Sequence, residues 1–239
     1  MKELLSKIKS KGYWKVIIRP TVYNEQLISS LQDCKELIRS SKVSLRGWDY
    51  PHIDPRGINA ASTYSVHSIC DWPEGPAFEY WRFYQTGQFI HLFAMREDLR
   101  ITEEQKQNFQ DEFSVKNDKF LSILSTLYSV TEIFEFSARL FSKIENVKDV
   151  EINIELHGVN NRLLIFWDSF SRWLNRPYIC NFSDDTITIK KIFNKDDVIK
   201  NSSDLALDFT MKIFHAFNWD SVNKEIFIED QKKLLERRL

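Results

Sequence analysis

The chain has 239 residues, of which 43% are hydrophobic and 28% charged, close to ordinary globular usage, so no long disordered stretch is expected. The 33 basic and 34 acidic residues give a formal net charge of −1, which weighs against a dedicated binder of the nucleic-acid backbone and leaves a local basic patch open. Aromatic residues reach 14%, which predicts a bulky core and leaves rings for a recognition surface.

The cysteines and the apolar stretches indicate the cellular compartment of the protein. Cys34, Cys70 and Cys180 are far apart and form no CxxC pair, so we expect free thiols in a reducing compartment. Residues 1–14 lack the continuous apolar core of a signal peptide. Residues 120–144, the most apolar long stretch, carry four charged side chains that disfavour a membrane span. We therefore expect a cytoplasmic protein without a membrane partner.

The N-terminal region predicts a helix, a strand and a second helix. Residues 3–9 have amphipathic spacing, and residues 13–19 (YWKVIIR) are rich in β-branched and aromatic side chains and stop at a proline, as a strand would. Asn24 is a suitable N-cap for a helix that runs to about Ser41, because apolar residues recur after it at helical spacing.

The segment from 43 to 76 has a different texture. Its prolines and glycines are Pro51, Pro55, Pro73, Pro76, Gly47, Gly57 and Gly75. These residues rule out long helices and predict short strands, over 43–48 and 62–69, that are joined by shaped turns.

Residues 78–84 and 88–95 predict a hairpin around Thr86-Gly87. A polar helical stretch over 101–117 follows, and then a long apolar helix over 118–144 with Asp118 as its N-cap. A strand over 150–156 and a turn over 158–161 into residues 162–167 come next, followed by a second hairpin from 178–182 into 186–192. The chain ends in two helices, the first of which begins near Asp204.

Together these elements predict an α+β fold, with a mixed or antiparallel sheet whose hairpins pack against a long central helix and two C-terminal helices. The polar stretch at 101–117 is the best boundary. It separates an α/β region with the aromatic, Pro/Gly-rich segment (1–100) from a region of long helix, two β-hairpins and C-terminal helices (101–239). One continuous domain is also compatible with the pattern.

Residues 46–56 (RGWDYPHIDPR) are the first candidate site, because they gather two Arg, two Asp, one His, one Trp and one Tyr in a loop stiffened by proline. A guanidinium, a carboxylate and an imidazole together could fix an anionic ligand or carry acid–base work. The candidate ligand contacts are Arg46, Trp48, Asp49, His52 and Arg56, and the candidate catalytic groups are Asp49, His52 and Asp54. In the alternative reading, Arg46 pairs with Asp49 to hold a turn while Trp48 and Tyr50 lie in the core.

Residues 79–85 (EYWRFYQ) are the second candidate site. The candidate ligand contacts here are Trp81, Arg82, Tyr84 and Gln85. On a strand, Arg82 shares one face with Tyr80 and Tyr84, which could present a cation–π surface to a base, a ring or a peptide. The alternative is an exposed face on which the tyrosine rings cover the stem of Arg82.

Several classes of enzyme lack their motifs. With only 6 glycines the chain has no phosphate-binding Gly-rich loop, and no GxSxG occurs. His52, Asp54, His67 and His91 have no metal-ligand spacing, so we expect neither a metal site nor a cofactor.

The segments VSLRGWDYPHI (43–53) and FEYWRFYQTGQFIHLFAMRED (78–98) resemble a recurring pair in uncharacterised bacterial proteins. The resemblance covers about the first hundred residues and implies no activity and no catalytic residue. Proteins of this texture often belong to multi-gene bacterial systems, including anti-phage defence, and a role of that kind is what the resemblance implies.

The leading functional hypothesis is a non-enzymatic binding or regulatory module that engages a partner protein, a nucleic acid or a small ligand through residues 43–96. The alternative is a metal-assisted or acid–base hydrolase or nuclease that uses His52, Asp49, Asp54 and Arg46. A third is an oligomer-forming structural subunit whose aromatic side chains form an interface. The sequence leaves open the oligomeric state and whether residues 46–56 and 79–96 are adjacent in space.

Overall fold

A computed structural model describes residues 1–72, 77–167, 172 and 174–238. The fold is α+β. The strands of the described residues are β1 (Tyr13–Pro20), β2 (Asn59–Ser62), β3 (Ser65–Trp72), β4 (Ala77–Tyr84), β5 (Phe89–Ala94), β6 (Lys119–Ser122), β7 (Asp149–His157), β8 (Arg162–Ile165) and β9 (Thr186–Asn194). Their helices are α1 (Lys2–Lys9), α2 (Leu31–Ser41), α3 (Glu97–Arg100), α4 (Glu103–Phe113), α5 (Ile123–Phe141), α6 (Lys195–His215) and α7 (Lys224–Leu235).

Seven of the strands form one antiparallel sheet in the order β2-β3-β4-β5-β1-β7-β9. Strand β1 is central, between β5 and β7, and buries Trp14, Val16 and Ile18 on one face. This alternation is what the YWKVIIR pattern predicts, since successive strand side chains point to opposite faces. Strands from 13–94 and from 149–194 therefore share a single sheet.

Helices cover both faces of the sheet. Helix α5 lies against α2, α6 and α7, and its apolar residues belong to the same core cluster as the buried face of β1. Fifteen of its nineteen residues are buried, including polar residues such as Thr131 and Glu132, because other elements pack against it on several sides. Helix α1 packs on the opposite face, where Leu4 and Ile8 contact Tyr80 of β4. Within the described residues, no helix combines the length and the apolar character that crossing a membrane requires.

The predicted start of the second helix is wrong. Helix α2 begins at Leu31 with Ser30 as its N-cap, and the side chain of Asn24 accepts a hydrogen bond from the backbone of Gln26 in a local turn. The tertiary structure overrides the helical pattern here. The backbone N–H of Ile28 donates to the carbonyl of Gln85 at 2.9 Å, and the Gln85 side chain returns a hydrogen bond to the Ile28 carbonyl.

The predicted start of the long helix is also wrong. Helix α5 begins at Ile123, and its N-cap is Ser122, whose side chain accepts from the backbone N–H of Ser125. Residues 119–122 instead form β6, which pairs in parallel with β8. Successive strand side chains point to opposite faces, and Phe120 and Leu121 are each 1% exposed. The segment forms a strand because it is buried on both faces.

Three further strand predictions need correction. Residues 43–48 are not a strand, since only Val43 makes a bridge, to Tyr50. The predicted strand at 62–69 is β3, displaced to Ser65–Trp72. Residues 178–182 form no hairpin with β9, because β9 pairs with β7 and Ile179 makes only an isolated bridge to Leu163.

The predicted hairpin at Thr86-Gly87 is confirmed. Strands β4 and β5 pair antiparallel, and the N–H of Gly87 donates to the carbonyl of Tyr84 at 2.9 Å. Gly87 has a φ of 78°, which is the left-handed region that glycine adopts without strain. This hairpin supplies the strands on which the site described next is built. The predicted Pro73, Gly75 and Pro76 turn lies outside the described residues.

Candidate ligand pocket

A cavity of about 260 Å³ lies between helix α5 and the face of the sheet that carries Trp14 and Phe93, and we call it the pocket. Its sheet wall holds Trp14 of β1, Glu79 of β4, and His91 and Phe93 of β5. The strand register puts Phe93 directly opposite both Trp14 and Glu79. These side chains therefore converge because of pairing between strands that are distant in sequence.

The helix wall of the pocket is polar. Ser125, Ser129 and Glu132 of α5 line it, and their spacing of four and three residues places them on one face of the helix. Helix α5 also carries Thr131, Glu135, Ser137 and Arg139, so this polar stripe is a weak sequence signal for a site. It was not among the predicted site residues.

Residues 44–49 form the third wall, and we call them the covering loop. The backbones of Val43 and Tyr50 exchange two hydrogen bonds of 2.8 Å, which close the loop at its base. The Asp49 carboxylate accepts from Ser44 Oγ within the loop and from Lys42 Nζ just before it, each at 2.5 Å. Burial opposes ionisation of Asp49, but these hydrogen bonds and the positive charge of Lys42 together lower the pKa of Asp49 below its usual range. The loop is therefore a closed, internally bonded unit.

Arg46 fastens the covering loop to α5. Its Nη2 donates to Glu132 Oε2 and to Ser129 Oγ, both at 2.9 Å, and its Nε lies 3.2 Å from each Glu132 oxygen. The Glu132 side chain is 3% exposed, and this burial raises the pKa of Glu132 despite the opposing effect of Arg46. The predicted pairing of Arg46 with Asp49 does not occur, because each has a different partner.

Trp48 fastens the same loop to the sheet. Its indole N–H donates to Glu79 Oε1 at 2.6 Å, and Glu79 Oε2 lies 3.3 Å from His91 Nε2. The second contact is at ion-pair distance but lacks hydrogen-bond geometry, so neither ring nitrogen of His91 has a hydrogen-bond partner. His91 is only 1% exposed. A buried imidazole without partners is rare, since nearly all buried polar groups are satisfied.

Tyr50 adds a second unsatisfied group beside His91. Its ring centroid lies 5.1 Å from that of His91, and its buried hydroxyl has no hydrogen-bond partner. Burial, together with the negative charges of Glu79 and Glu132, raises the pKa of Tyr50 well above its ordinary value. The hydroxyl therefore stays protonated and can both donate and accept a hydrogen bond.

The other end of the pocket lies at α3. Glu97 Oε1 accepts from the backbone N–H of Ser122 at 2.8 Å, which joins α3 to the start of α5. Arg96 and Arg100 line the pocket here and are both exposed. The guanidinium of Arg100 makes no hydrogen bond or ion pair with any residue that the structure describes. The pocket thus has a cationic rim at this end.

The structure brings the two candidate segments together. Trp48 contacts Glu79, and the Trp81 indole donates to the backbone carbonyl of His52 at 2.6 Å. Of the residues predicted from sequence to bind a ligand, Arg46, Trp48 and Asp49 line the pocket.

The other predicted ligand contacts lie outside the pocket. Trp81 and Gln85 are buried and bonded to neighbouring backbone. The Arg82 guanidinium lies over the Tyr84 ring at 4.7 Å and donates to Ser65 Oγ, so the cation–π pair is made within the protein and lies outside the pocket.

His52 and its acidic neighbours do not form a catalytic group in the described contacts. His52 stacks on Trp48 with ring centroids 3.9 Å apart, and its buried Nε2 has no hydrogen-bond partner. Asp54 accepts from Arg56 at 2.6 Å, which lowers the pKa of Asp54 against the opposing effect of burial. Asp49 is held by Lys42. No hydrogen bond joins His52 to either carboxylate, and no group of three or more His, Cys, Asp or Glu among the described residues could hold a metal ion.

Four residues that line the pocket were not among the candidate site residues predicted from sequence, namely Glu79, His91, Tyr50 and Glu132. No protein-family model, curated protein or solved structure matches this chain.

Proposed function

We propose that this chain is a non-enzymatic binding or regulatory module that takes a small ligand into the pocket beneath the covering loop. The observation that carries the proposal is His91, which lines the pocket with both ring nitrogens unpartnered at 1% exposure. An unmade hydrogen bond of a buried polar group costs about 1–3 kcal/mol. A ligand that completes those bonds recovers this free energy on binding.

The size and lining of the pocket support a small ligand. Its volume of about 260 Å³ is close to the lower end of the range of roughly 300–1,000 Å³ that is usual for ligand pockets. Aromatic rings, including Trp14 and Phe93, line it together with a few convergent polar groups. That combination is typical of ligand sites, in which apolar walls supply burial and polar groups supply orientation.

The experiment is a thermal-shift screen of small polar and aromatic compounds on the full chain, with His91→Phe as the test variant. Phenylalanine keeps a ring in place and removes both nitrogens. A ligand at a hundred times its dissociation constant adds about 2.7 kcal/mol to stability, which is easily measured. We expect at least one compound to stabilise the wild type and not His91→Phe.

The matched control is His215→Phe, because His215 is exposed at the end of α6, outside the pocket. It should respond to the ligand as the wild type does. A screen in which no compound shifts the wild type, or in which His91→Phe responds equally, would contradict the proposal.

The wider setting is also part of the proposal. A bacterial multi-protein system, a reducing cytoplasmic location and a protein or nucleic-acid partner that responds to the bound ligand are consistent with this function. Cys34, Cys70 and Cys180 are buried free thiols, which supports a reducing compartment. The hydrolase or nuclease alternative gains no support from the contacts of Asp49, His52 and Asp54. The oligomer-forming alternative stays a prediction.

A further inference from the structure

We infer that the ligand of the pocket is a free nucleoside 5′-monophosphate whose base carries an exocyclic amino group. This inference rests on the proposed function and adds the chemical class of the ligand. It is carried by the pocket's unpartnered groups, its aromatic wall and its cationic rim.

The unpartnered groups require a ligand that both donates and accepts hydrogen bonds. Both ring nitrogens of His91 are available for hydrogen bonds, and the Tyr50 hydroxyl can both donate and accept one. A simple anion could only accept, and a hydrocarbon could do neither. The edge of a nucleobase presents donors and acceptors side by side and so matches these groups.

Glu79 adds a preference among the bases. Its carboxylate has no Lys or Arg partner among the described residues, and it meets only the Trp48 N–H and the His91 ring. Each carboxylate oxygen has a further lone pair, and an amino group on the base is the donor that such a carboxylate accepts. Adenine, cytosine and guanine carry this amino group and uracil does not.

The sheet wall supplies aromatic side chains that a base can contact. Trp14 and Phe93 both line the pocket, and their rings are stacked on each other with centroids 5.7 Å apart and planes within 5° of parallel. Base–aromatic stacking contributes roughly 1–3 kcal/mol per base and needs only a flat apolar face.

The two ends of the pocket offer different groups, the unpartnered His91 at one end and arginines at the other, as the base and the phosphate of a nucleotide would need. Strand β5 places His91 at one end and leads, five residues later, to Arg96 at the rim. Helix α5 runs antiparallel to it, since Glu97 contacts Ser122 at its start and Phe89 contacts Phe136 near its end. The unpaired Arg100 lies at the Arg96 end, where it can bind a phosphate.

The test is isothermal titration of the full chain with AMP, GMP, CMP and UMP, with adenosine, guanosine and cytidine, and with 2-naphthoate. We expect at least one of the three amino-bearing monophosphates to bind at least roughly tenfold more tightly than UMP. Glu79→Gln should abolish that preference, whereas Glu36→Gln, an exposed acid on α2, should leave it unchanged.

Arg100→Gln isolates the phosphate contact. It should weaken the bound monophosphate by roughly tenfold, since a charge-assisted hydrogen bond is lost, and leave the affinity of the matching nucleoside unchanged. Arg39→Gln, at an exposed arginine of α2, is the control. Arg100 is exposed, so its variant should fold as the wild type does, and equal unfolding midpoints would establish this.

The outcomes separate the ligand class from the function. If 2-naphthoate or a screened non-nucleotide binds in a His91-dependent manner and no monophosphate does, the nucleotide assignment is overturned while the binding function stands. Binding of a 5′-phosphorylated oligonucleotide without binding of free monophosphates would equally overturn it. If neither nucleotides nor any screened compound binds, both proposals fail.

Discussion

Glu79 on β4 and His91 on β5 meet in the pocket, where Glu79 Oε2 lies 3.3 Å from His91 Nε2. Neither ring nitrogen of His91 has a hydrogen-bond partner among the described residues. The other oxygen of Glu79 holds the indole of Trp48 at 2.6 Å. One carboxylate thus contacts both the imidazole that lacks hydrogen-bond partners and the loop that covers the pocket. We therefore expect a ligand that binds Glu79 to change how firmly the covering loop is held.

Loss of Arg46 should destabilise the protein strongly. Arg46→Ala leaves the carboxylate of Glu132 buried without its partner, and breaking a buried ion pair in this way costs about 3–5 kcal/mol. Arg46→Lys keeps the charge and should lose less. The measurement is urea unfolding. Arg39→Ala, at an exposed arginine, should change the free energy of unfolding by no more than about 0.5 kcal/mol, and an equal loss in both alanine variants would contradict the prediction.

Trp48→Phe should loosen the covering loop. Phenylalanine keeps a ring against His52 but removes the N–H that binds Glu79, so the loop loses its side-chain hydrogen bond to the sheet. We expect faster amide hydrogen exchange in residues 44–49, measured by mass spectrometry. Trp219→Phe is a matched control, because the Trp219 indole N–H has no hydrogen-bond partner among the described residues. Unchanged exchange in residues 44–49 of Trp48→Phe would show that the indole contact does not hold the loop.

The contribution of Asp49 to stability should depend on pH in one direction. Its pKa is lower in the folded protein than in the unfolded chain, where it is about 3.9. The unfolded state therefore binds the proton more tightly, and acid removes the stabilisation. The stability difference between wild type and Asp49→Asn should be constant near neutral pH and shrink as the pH falls below about 4. Chemical unfolding at a series of pH values measures it, and a difference that grows in acid would refute the assignment.

Gly12→Ala should cost more stability than Gly47→Ala. A Cβ atom on Gly12 would lie 2.8 Å from Met95 Sδ and 2.9 Å from Arg162 Cζ. Arg162 cannot move aside, because its fully buried guanidinium is paired with Asp98. We expect a loss of about 1–3 kcal/mol from this overpacking.

The comparison with Gly47 separates crowding from backbone strain. A Cβ on Gly47 would meet no atom within 4 Å, but its φ of 78° carries a strain of about 1–2 kcal/mol for an L-residue. Urea unfolding of both variants decides the order. A larger loss for Gly47→Ala would mean that Arg162 and Met95 yield to the extra methyl group.

The thiols of the folded protein should be unreactive. Burial raises the pKa of both Cys34 and Cys70 to about 12, and it also raises the pKa of Cys180. The reactive thiolate is therefore scarce at pH 8, where an ordinary thiol of pKa about 8.5 is partly ionised. Reaction with a disulfide reagent should be slow in buffer and fast in guanidinium. Rapid labelling of the native protein would contradict the burial of these residues.

Local sequence patterns predicted the α+β class and several elements because they report which face of an element is buried. The alternation in 13–19 and 150–156 predicted strands, and β1 and β7 follow it. The glycine at Thr86-Gly87 predicted a turn, and the β4–β5 hairpin follows it. The predicted starts of the second helix and of the long helix were wrong. At both places hydrogen bonds or burial from distant residues, such as Gln85 on Ile28, override the helical pattern.

The sequence by itself determined that residues 43–96 are rich in stiff backbone, aromatic rings and charge. Only the tertiary structure decided which of them meet. Arg46 binds Glu132 of α5, which is 86 residues away in sequence, and Trp48 binds Glu79, which is 31 residues away. Periodicity assigns a side chain to a face but carries no information about what lies opposite that face. The pocket exists because strand register and the position of α5 bring its walls together, and these are set by packing over the whole chain.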